Sequence, residues 1–194
     1  MLLKHSVLYL LARGLPGLVN FIAISVYTRL LTPEDYGRYA LVMAGVGFLD
    51  VVFFQWLRLA LLRFLPSHPE GPKTVLSVVL AGFLIEALLI GGMGGLAAWL
   101  WPAPTWRPLI LLAVPLLWAQ AWLELNLDLV RSRLEPLRYG LYSGLKAVGA
   151  LAIGTTLVQS GLGAYGPVVG MFTATSLVGL LGVRLDWVGV SVRE

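Results

Sequence analysis

The sequence predicts an all-α membrane protein, built as a bundle of about six transmembrane helices. Of its 194 residues, 58% are hydrophobic and only 12% are charged, whereas about a quarter of the residues of a soluble domain are charged. A chain of this composition could not cover its surface with polar groups in water. Its apolar stretches are rich in Leu and Ala and do not alternate with a period of two, which argues against a membrane β-barrel.

Six segments are long and apolar enough to cross the hydrocarbon core, which takes about 20 residues of helix. Charged residues, Pro or Gly clusters bound each of them, and the connections between them leave no room for a soluble domain. We therefore predict a single domain, 1–194, with helices at roughly 7–30, 37–62, 74–101, 108–130, 139–159 and 164–183.

The first helix begins like a signal peptide, with Lys4 ahead of an apolar run. Arg13 interrupts this run, which then resumes and continues to Tyr27. No small-x-small cleavage site is evident. We interpret the segment as an uncleaved transmembrane helix.

The polar segment 29–39, RLLTPEDYGRY, joins the first two helices and is called the hinge below. Thr32 suits an N-cap, Pro33 suits the first helical position, and acidic residues suit a first turn whose N–H dipoles point outward. Asp35 follows Thr32 by three residues, the spacing of a capping box with Asp in place of Glu. The hinge therefore predicts a helical hairpin.

Tryptophan and glycine mark the later helices. Trp99, Trp101 and Trp106 flank the loop between the third and fourth helices, as an interfacial aromatic belt does.

Gly and Thr dilute the fifth and sixth apolar runs. The GxxxG spacing, which lets helix backbones approach closely, occurs at Gly91/Gly95, Gly140/Gly144 and Gly166/Gly170.

The basic residues predict the orientation in the membrane, because cytoplasmic loops carry an excess of Lys and Arg. With both termini in the cytoplasm, the outer side carries only Arg29, Arg38 and Arg107. The cytoplasmic side then carries Lys4, Arg58, Arg63, Lys73, Arg131, Arg133, Arg138, Arg184 and Arg193.

Several functions are excluded by composition. The chain has no cysteine, which removes disulfides, thiolate catalysis and Cys-based metal sites. His5 and His68 offer no metal cluster, and no P-loop or other Gly-rich nucleotide signature is present. We therefore expect no cofactor and no metal. We also expect no nucleic-acid partner, because the net charge of +4 comes from basic residues scattered between apolar segments.

Ionisable residues inside the apolar segments are the candidate functional residues. A charge in a bilayer costs at least about 2.5–3.5 kcal/mol, so it usually faces a protein interior or a water-filled cavity. Cations there would hold an anionic head group, and acids would bind or release a coupling cation. The predicted cavity residues are Arg13, Asn20, Asp50, Glu86, Glu124 and Lys146.

A structural interpretation of the same residues stays open. Charged side chains near helix ends, such as Arg13, Arg58, Asp128 and Arg131, could simply extend to the interface. The deeper acids could form structural ion pairs, for example Glu124 with Lys146.

The hinge resembles a motif of the polysaccharide-biosynthesis, Wzx-like flippase branch of the MOP exporter superfamily. That branch typically shows R-L-L-x-P-x-x-Y/F-G-x-Y between its first two helices, after a first helix that carries an internal arginine. Arg63 and Phe64 match an Arg-Phe pair that often ends its second helix. The residues of this chain that match the hinge motif are Arg29, Leu30, Leu31, Pro33, Tyr36, Gly37 and Tyr39.

The resemblance implies a function. Such proteins move undecaprenyl-diphosphate-linked oligosaccharides across the inner membrane for the synthesis of surface polysaccharides such as O-antigen lipopolysaccharide, by alternating access between two six-helix lobes. By position, Arg13 corresponds to the internal arginine of the first helix, and Asp50 to an acidic or polar site in the second. About six helices make one lobe, so we expect a second lobe or another copy of the chain as partner.

Three alternatives remain at this stage. A small homodimeric transporter of drugs or metabolites would enclose one cavity between two copies. A scaffold or truncated remnant would not transport. An enzyme acting on lipid is the weakest alternative, because Glu124 and Asp128 share a helix face but no nucleophile or metal set accompanies them.

Overall fold

The computed structural model describes residues 2–67, 72–101, 103–133 and 135–182, with the side chains of residue 14 and of residue 16 onward, apart from residue 72. Six helices, joined by short connections, account for nearly all of this part of the chain. They are α1 (Leu2–Leu30), α2 (Pro33–Ser67), α3 (Pro72–Leu100), α4 (Arg107–Ser132), α5 (Pro136–Leu162) and α6 (Tyr165–Gly182).

The predicted fold class is confirmed, and every predicted helix has its counterpart. Five helices, α2 to α6, are long and apolar enough to cross a membrane. The molecule also presents many large apolar side chains on its outside, among them Phe21, Phe48, Leu88 and Trp99. An exposed apolar surface on a helical bundle is what a lipid environment requires.

The hinge forms as its sequence predicts. α1 ends at Leu30, and Thr32 takes an extended conformation and caps α2 by accepting a hydrogen bond from the backbone N–H of Asp35, at 3.2 Å. The Thr32 hydroxyl in turn donates to the Asp35 carboxylate, at 3.1 Å. Pro33 is the first helical residue, so α2 begins four residues earlier than predicted.

The predicted hairpin is, however, splayed. α1 packs mainly on α5 and only slightly on α2. Where α1 meets α5, the Tyr27 hydroxyl donates a hydrogen bond to the carbonyl oxygen of Ala150 at 3.2 Å. The turn therefore sets where α2 begins, while tertiary packing decides which helix lies beside α1.

α4 is the central helix of the bundle, and it contacts α2, α3, α5 and α6. Its middle and second half supply many of the fully buried side chains, including Leu116, Leu123 and Asn126. Because four different helices meet on α4, its polar residues are placed where charges from several helices can converge.

α5 and α6 make the closest helix contact, and glycines allow it. A Cβ on Gly170 would lie 2.5 Å from the backbone nitrogen of Gly154, and one on Gly166 would lie 2.7 Å from a Val158 methyl. The prediction of a packing face at Gly166/Gly170 is thereby confirmed. The prediction for Gly91/Gly95 is half wrong, because Gly91 meets Trp118 whereas Gly95 faces open space and Gly94 meets Val114.

Candidate functional site

A line of four alternating charges connects three helices inside the bundle and is called the charge network below. Asp50 and Arg58 come from α2, Glu124 from α4 and Lys146 from α5. Arg58 bonds the Asp50 carboxylate (Nη2 to Oδ2, 3.0 Å) and reaches Glu124 (Nη1 to Oε2, 3.6 Å). Glu124 also faces Lys146 (Oε1 to Nζ, 3.8 Å). The network is electrically neutral, with two acids and two bases.

A π-turn in α2 brings Asp50 and Arg58 onto one face. In a regular α-helix, residues eight apart differ in direction by about 80°. From Asp50 to Phe54 the helix takes π geometry, which inserts one extra residue. The eight-residue step then turns like about seven α-helical residues and leaves the two side chains within about 20° of each other. Asp50 and Phe54 are both buried as a result.

The network lies well inside the helices that carry it. Asp50 is at the middle of α2, while Glu124 and Lys146 lie more than two turns from the nearer end of their helices. At 1.5 Å per residue, these two are about 12–15 Å from those ends. In a hydrocarbon core of about 30 Å, such residues approach the centre.

Exposure differs among the four members of the network. The Asp50 side chain is 8% exposed, that of Arg58 14% and that of Lys146 17%, whereas that of Glu124 is 28% exposed. Asp50 is therefore the most buried member. Glu124 is the member most accessible from outside the bundle.

Two buried oxygen atoms next to the charges are not satisfied by the described part of the protein. Asp50 Oδ1 and Ser143 Oγ have no hydrogen-bond partner among the described residues. Ser143 precedes Lys146 by three residues and so lies on a neighbouring position of α5. A buried polar atom without a partner is costly, and such atoms recur where a protein handles ions or ligands.

Near the end of α4 the charges are paired in a different way. Asp128 lies one turn beyond Glu124 and pairs with Arg131 at 4.0 Å. The Arg131 side chain is half exposed, at 49%. The exposure of Arg131 fits the interfacial interpretation, which stays a prediction, whereas Arg58 bridges two acids inside the bundle.

Three of the six predicted cavity residues come together: Asp50, Glu124 and Lys146. Glu86 lies half-buried on α3 and joins no ion pair among the described residues. Asn20 is exposed on α1. The side chain of Arg13 lies outside the described residues, so its assignment stays a prediction.

The matched residues of the hinge lie at one end of the bundle. Tyr36 and Tyr39 stack edge-on with ring centroids 6.1 Å apart, and Tyr39 meets Tyr27 in the same way at 5.5 Å. These rings pack with Leu31 and Val158 in a small buried cluster. Pro33 starts α2, Arg29 is exposed, and a Cβ on Gly37 would meet no atom within 4 Å.

Sequence reasoning missed two features. Arg58 was grouped with the cations near helix ends, and its bridge between Asp50 and Glu124 was not predicted. An apolar cavity of about 500 Å³ between α2, α3 and α4 was also missed, and it is lined by none of the predicted cavity residues whose side chains the structure describes: Asn20, Asp50, Glu86, Glu124 and Lys146.

Comparison with protein-family models, curated proteins and solved structures found no match. The resemblance to the flippase branch therefore stays an expectation from the sequence. Within the described residues, no group of three or more His, Asp or Glu side chains could hold a metal ion. The chemistry available at this site is ion pairing and proton or anion exchange within the charge network.

Proposed function

We propose that this protein is one lobe of a membrane transporter, resident in the inner or plasma membrane, that moves lipid-linked oligosaccharides. The observation that carries the proposal is the charge network at mid-helix depth. Intramembrane charges are expensive and mark substrate or ion pathways in membrane proteins. Arg58 and Lys146 both contact the accessible Glu124. A diphosphate could bind these two cations by replacing the Glu124 carboxylate.

The distances support such an exchange. Strong charge-assisted bonds between nitrogen and oxygen measure about 2.7–2.9 Å. Arg58 and Asp50 come close to this at 3.0 Å, whereas Glu124 is 3.6 Å from Arg58 and 3.8 Å from Lys146. The two contacts of Glu124 are therefore the long ones of the network. An incoming diphosphate would displace its carboxylate from Arg58 and Lys146 while Asp50 keeps Arg58 in place.

The exposed side chain of Asn20 supports the proposal that α1 contacts a partner protein in the membrane. It lies ten residues before the end of α1, about 15 Å along the helix, and its polar amide would otherwise face hydrocarbon. A Cβ on neighbouring Gly17 would meet no atom within 4 Å, so another helix could approach closely there. The partner in this proposal is a second transporter lobe or another copy of the chain.

The finer identity of the cargo is supported by the hinge resemblance alone. A polyprenyl-diphosphate sugar fits the proposal because its diphosphate matches the two cations and its isoprenoid chain stays in the bilayer. Synthesis of surface polysaccharide is the process that would use such transport.

Equilibrium binding tests the proposal without requiring the second lobe. The chain in nanodiscs is titrated with a fluorescent polyprenyl-diphosphate oligosaccharide. We expect saturable binding that Lys146→Met weakens at least about tenfold, as loss of a charge-assisted contact would. Arg131→Gln is the matched control, because its pair at the end of α4 is half exposed, and it should bind like the wild type. Absence of saturable binding, or equal loss in both variants, contradicts the proposal.

A further inference from the structure

The cavity between α2, α3 and α4, called the apolar groove below, is separate from the charge network. Sixteen of the described residues line it, and none of these carries a charge. Its volume of about 500 Å³ falls within the range of small-molecule sites, roughly 300–1,000 Å³. Leu41 and Met93 line it and are more than half exposed, so the groove opens sideways between α2 and α3.

The groove has the length of one membrane leaflet. Along α4 it runs from Trp106, the residue before the helix, to Leu117, and along α3 from Trp101, the residue after the helix, to Ile90. Each stretch rises about 16 Å, close to half of a hydrocarbon core of about 30 Å. Its upper end lies at the Trp-rich loop between α3 and α4, and its lower end lies near the middle of the helices.

A cation stands at the upper end of the groove. Arg107 directly follows the lining residue Trp106 and is exposed, and its Nε donates a weak hydrogen bond to the Trp101 carbonyl oxygen at 3.4 Å. Arg107 enters no ion pair within the described part of the chain. It is also the first residue of α4, whose N-terminus no side chain caps, so the helix dipole adds to the attraction for a phosphate.

From this arrangement we propose that the groove is a resident phospholipid site. One acyl chain lies along the groove, and the phosphate of the same molecule is bound by Arg107. Arg107 at the upper end matches the phosphate of an anionic phospholipid, and the apolar groove, which is as long as one leaflet, matches its acyl chain. By the predicted orientation, the lipid comes from the outer leaflet. The site is independent of the charge network and of the proposed transport.

Glycine offers a matched test of the groove. Gly45 and Gly47 lie on the same helix, and a Cβ on either would meet no atom within 4 Å. Gly45 lines the groove, whereas Gly47 does not. A leucine therefore fills the groove at position 45 and only adds to the outer surface at position 47.

The experiment uses the full chain in vesicles that contain phosphatidylglycerol with a photoreactive group on its acyl chain. We expect labelled peptides from the groove-lining parts of α2, α3 and α4. Gly45→Leu should reduce this labelling to background, while Gly47→Leu leaves it unchanged. Arg107→Gln should reduce labelling about fivefold, as one basic residue near an anionic lipid surface contributes, and Arg29→Gln, an exposed arginine predicted on the same side, should not.

Thermal unfolding is a second readout, which shows whether Gly45→Leu still folds. Added phosphatidylglycerol should raise the thermal unfolding temperature of the wild type and of Gly47→Leu in detergent, but not that of Gly45→Leu. Equal labelling of Gly45→Leu and wild type overturns the proposal. Labelling of the groove by a polyprenyl-diphosphate probe but not by phosphatidylglycerol also overturns it, because the occupant would then be cargo rather than a resident lipid.

Discussion

At the scale of single residues, the charge network depends on how each charge is compensated. Placing charges in a low-dielectric interior costs several kcal/mol per ion unless partners repay the cost. Arg58 offsets part of this cost for two acids, because it contacts both Asp50 and Glu124. Removing one member leaves its neighbour with a reduced set of partners, and this consequence is measurable.

A double-mutant cycle on Asp50→Ala and Arg58→Met should reveal strong coupling. We expect a coupling energy of about 1–3 kcal/mol in unfolding free energy, because Arg58→Met leaves Asp50 without its ion-pair partner and Asp50→Ala leaves Arg58 with only the longer contact to Glu124. Unfolding in mixed micelles, followed by circular dichroism, measures it. The matched control is Glu34 and Arg38, an exposed pair on the same helix, where coupling should stay below about 0.5 kcal/mol. Similar coupling in both cycles would argue against a buried network.

The sequence correctly predicted that three ionisable residues far from the helix ends come together inside the bundle. Asp50, Glu124 and Lys146 lie too far from helix ends to reach water easily, and they converge. Arg58 could not be placed, because the π-turn has no signature in the residues 50–54, DVVFF. For Glu86 and Asn20 the cavity assignment stays a prediction, because the depth of a residue in a helix does not fix the direction in which its side chain points.

At the scale of helices, the ends were predictable and the contacts were not. Thr32, Pro33 and Asp35 specify the start of α2 through local capping chemistry, which needs no tertiary information. Which helices become neighbours depends on side-chain shape. The GxxxG spacing identified the α5–α6 contact at Gly170 but placed the α3 contact at Gly95 instead of Gly94.

Alanine substitutions of glycine separate real contacts from chance spacing. Gly170→Ala should lower the unfolding free energy by about 1–3 kcal/mol, because its methyl group would collide with the α5 backbone at Gly154. Gly95→Ala should be neutral or stabilise by up to about 1 kcal/mol, because its methyl group meets no atom within 4 Å and alanine favours helix. Thermal unfolding in detergent measures both. An equal loss in the two variants would contradict the packing described for α5 and α6.

At the scale of the whole molecule, the bundle combines a buried charge network with an outer surface suited to lipid. Fold class followed from composition, because a chain with so few charges has no soluble alternative. The apolar groove escaped sequence analysis, because a groove arises from gaps between helices rather than from any residue pattern. The orientation in the membrane stays a prediction that rests on the distribution of Lys and Arg.

Single cysteines can test that orientation, since the chain has none of its own. In intact cells, a membrane-impermeant maleimide should label Thr105→Cys, in the loop before α4, from outside. It should label Lys73→Cys, at the start of α3, only after the cells are broken. The reverse pattern would invert the predicted topology and place the groove in the cytoplasmic leaflet.

The central claim is that the charge network is reachable from water although it lies deep in the bundle. The most direct measurement is the reaction of Glu124→Cys with a small cationic methanethiosulfonate, which attacks thiolates and needs water at the thiol. Leu88→Cys is the control, because Leu88 lies near the middle of α3 and is 77% exposed on the outer apolar surface. The account predicts rapid modification at position 124 and none at position 88. Protection of both thiols would contradict it and leave the network as a dry structural contact.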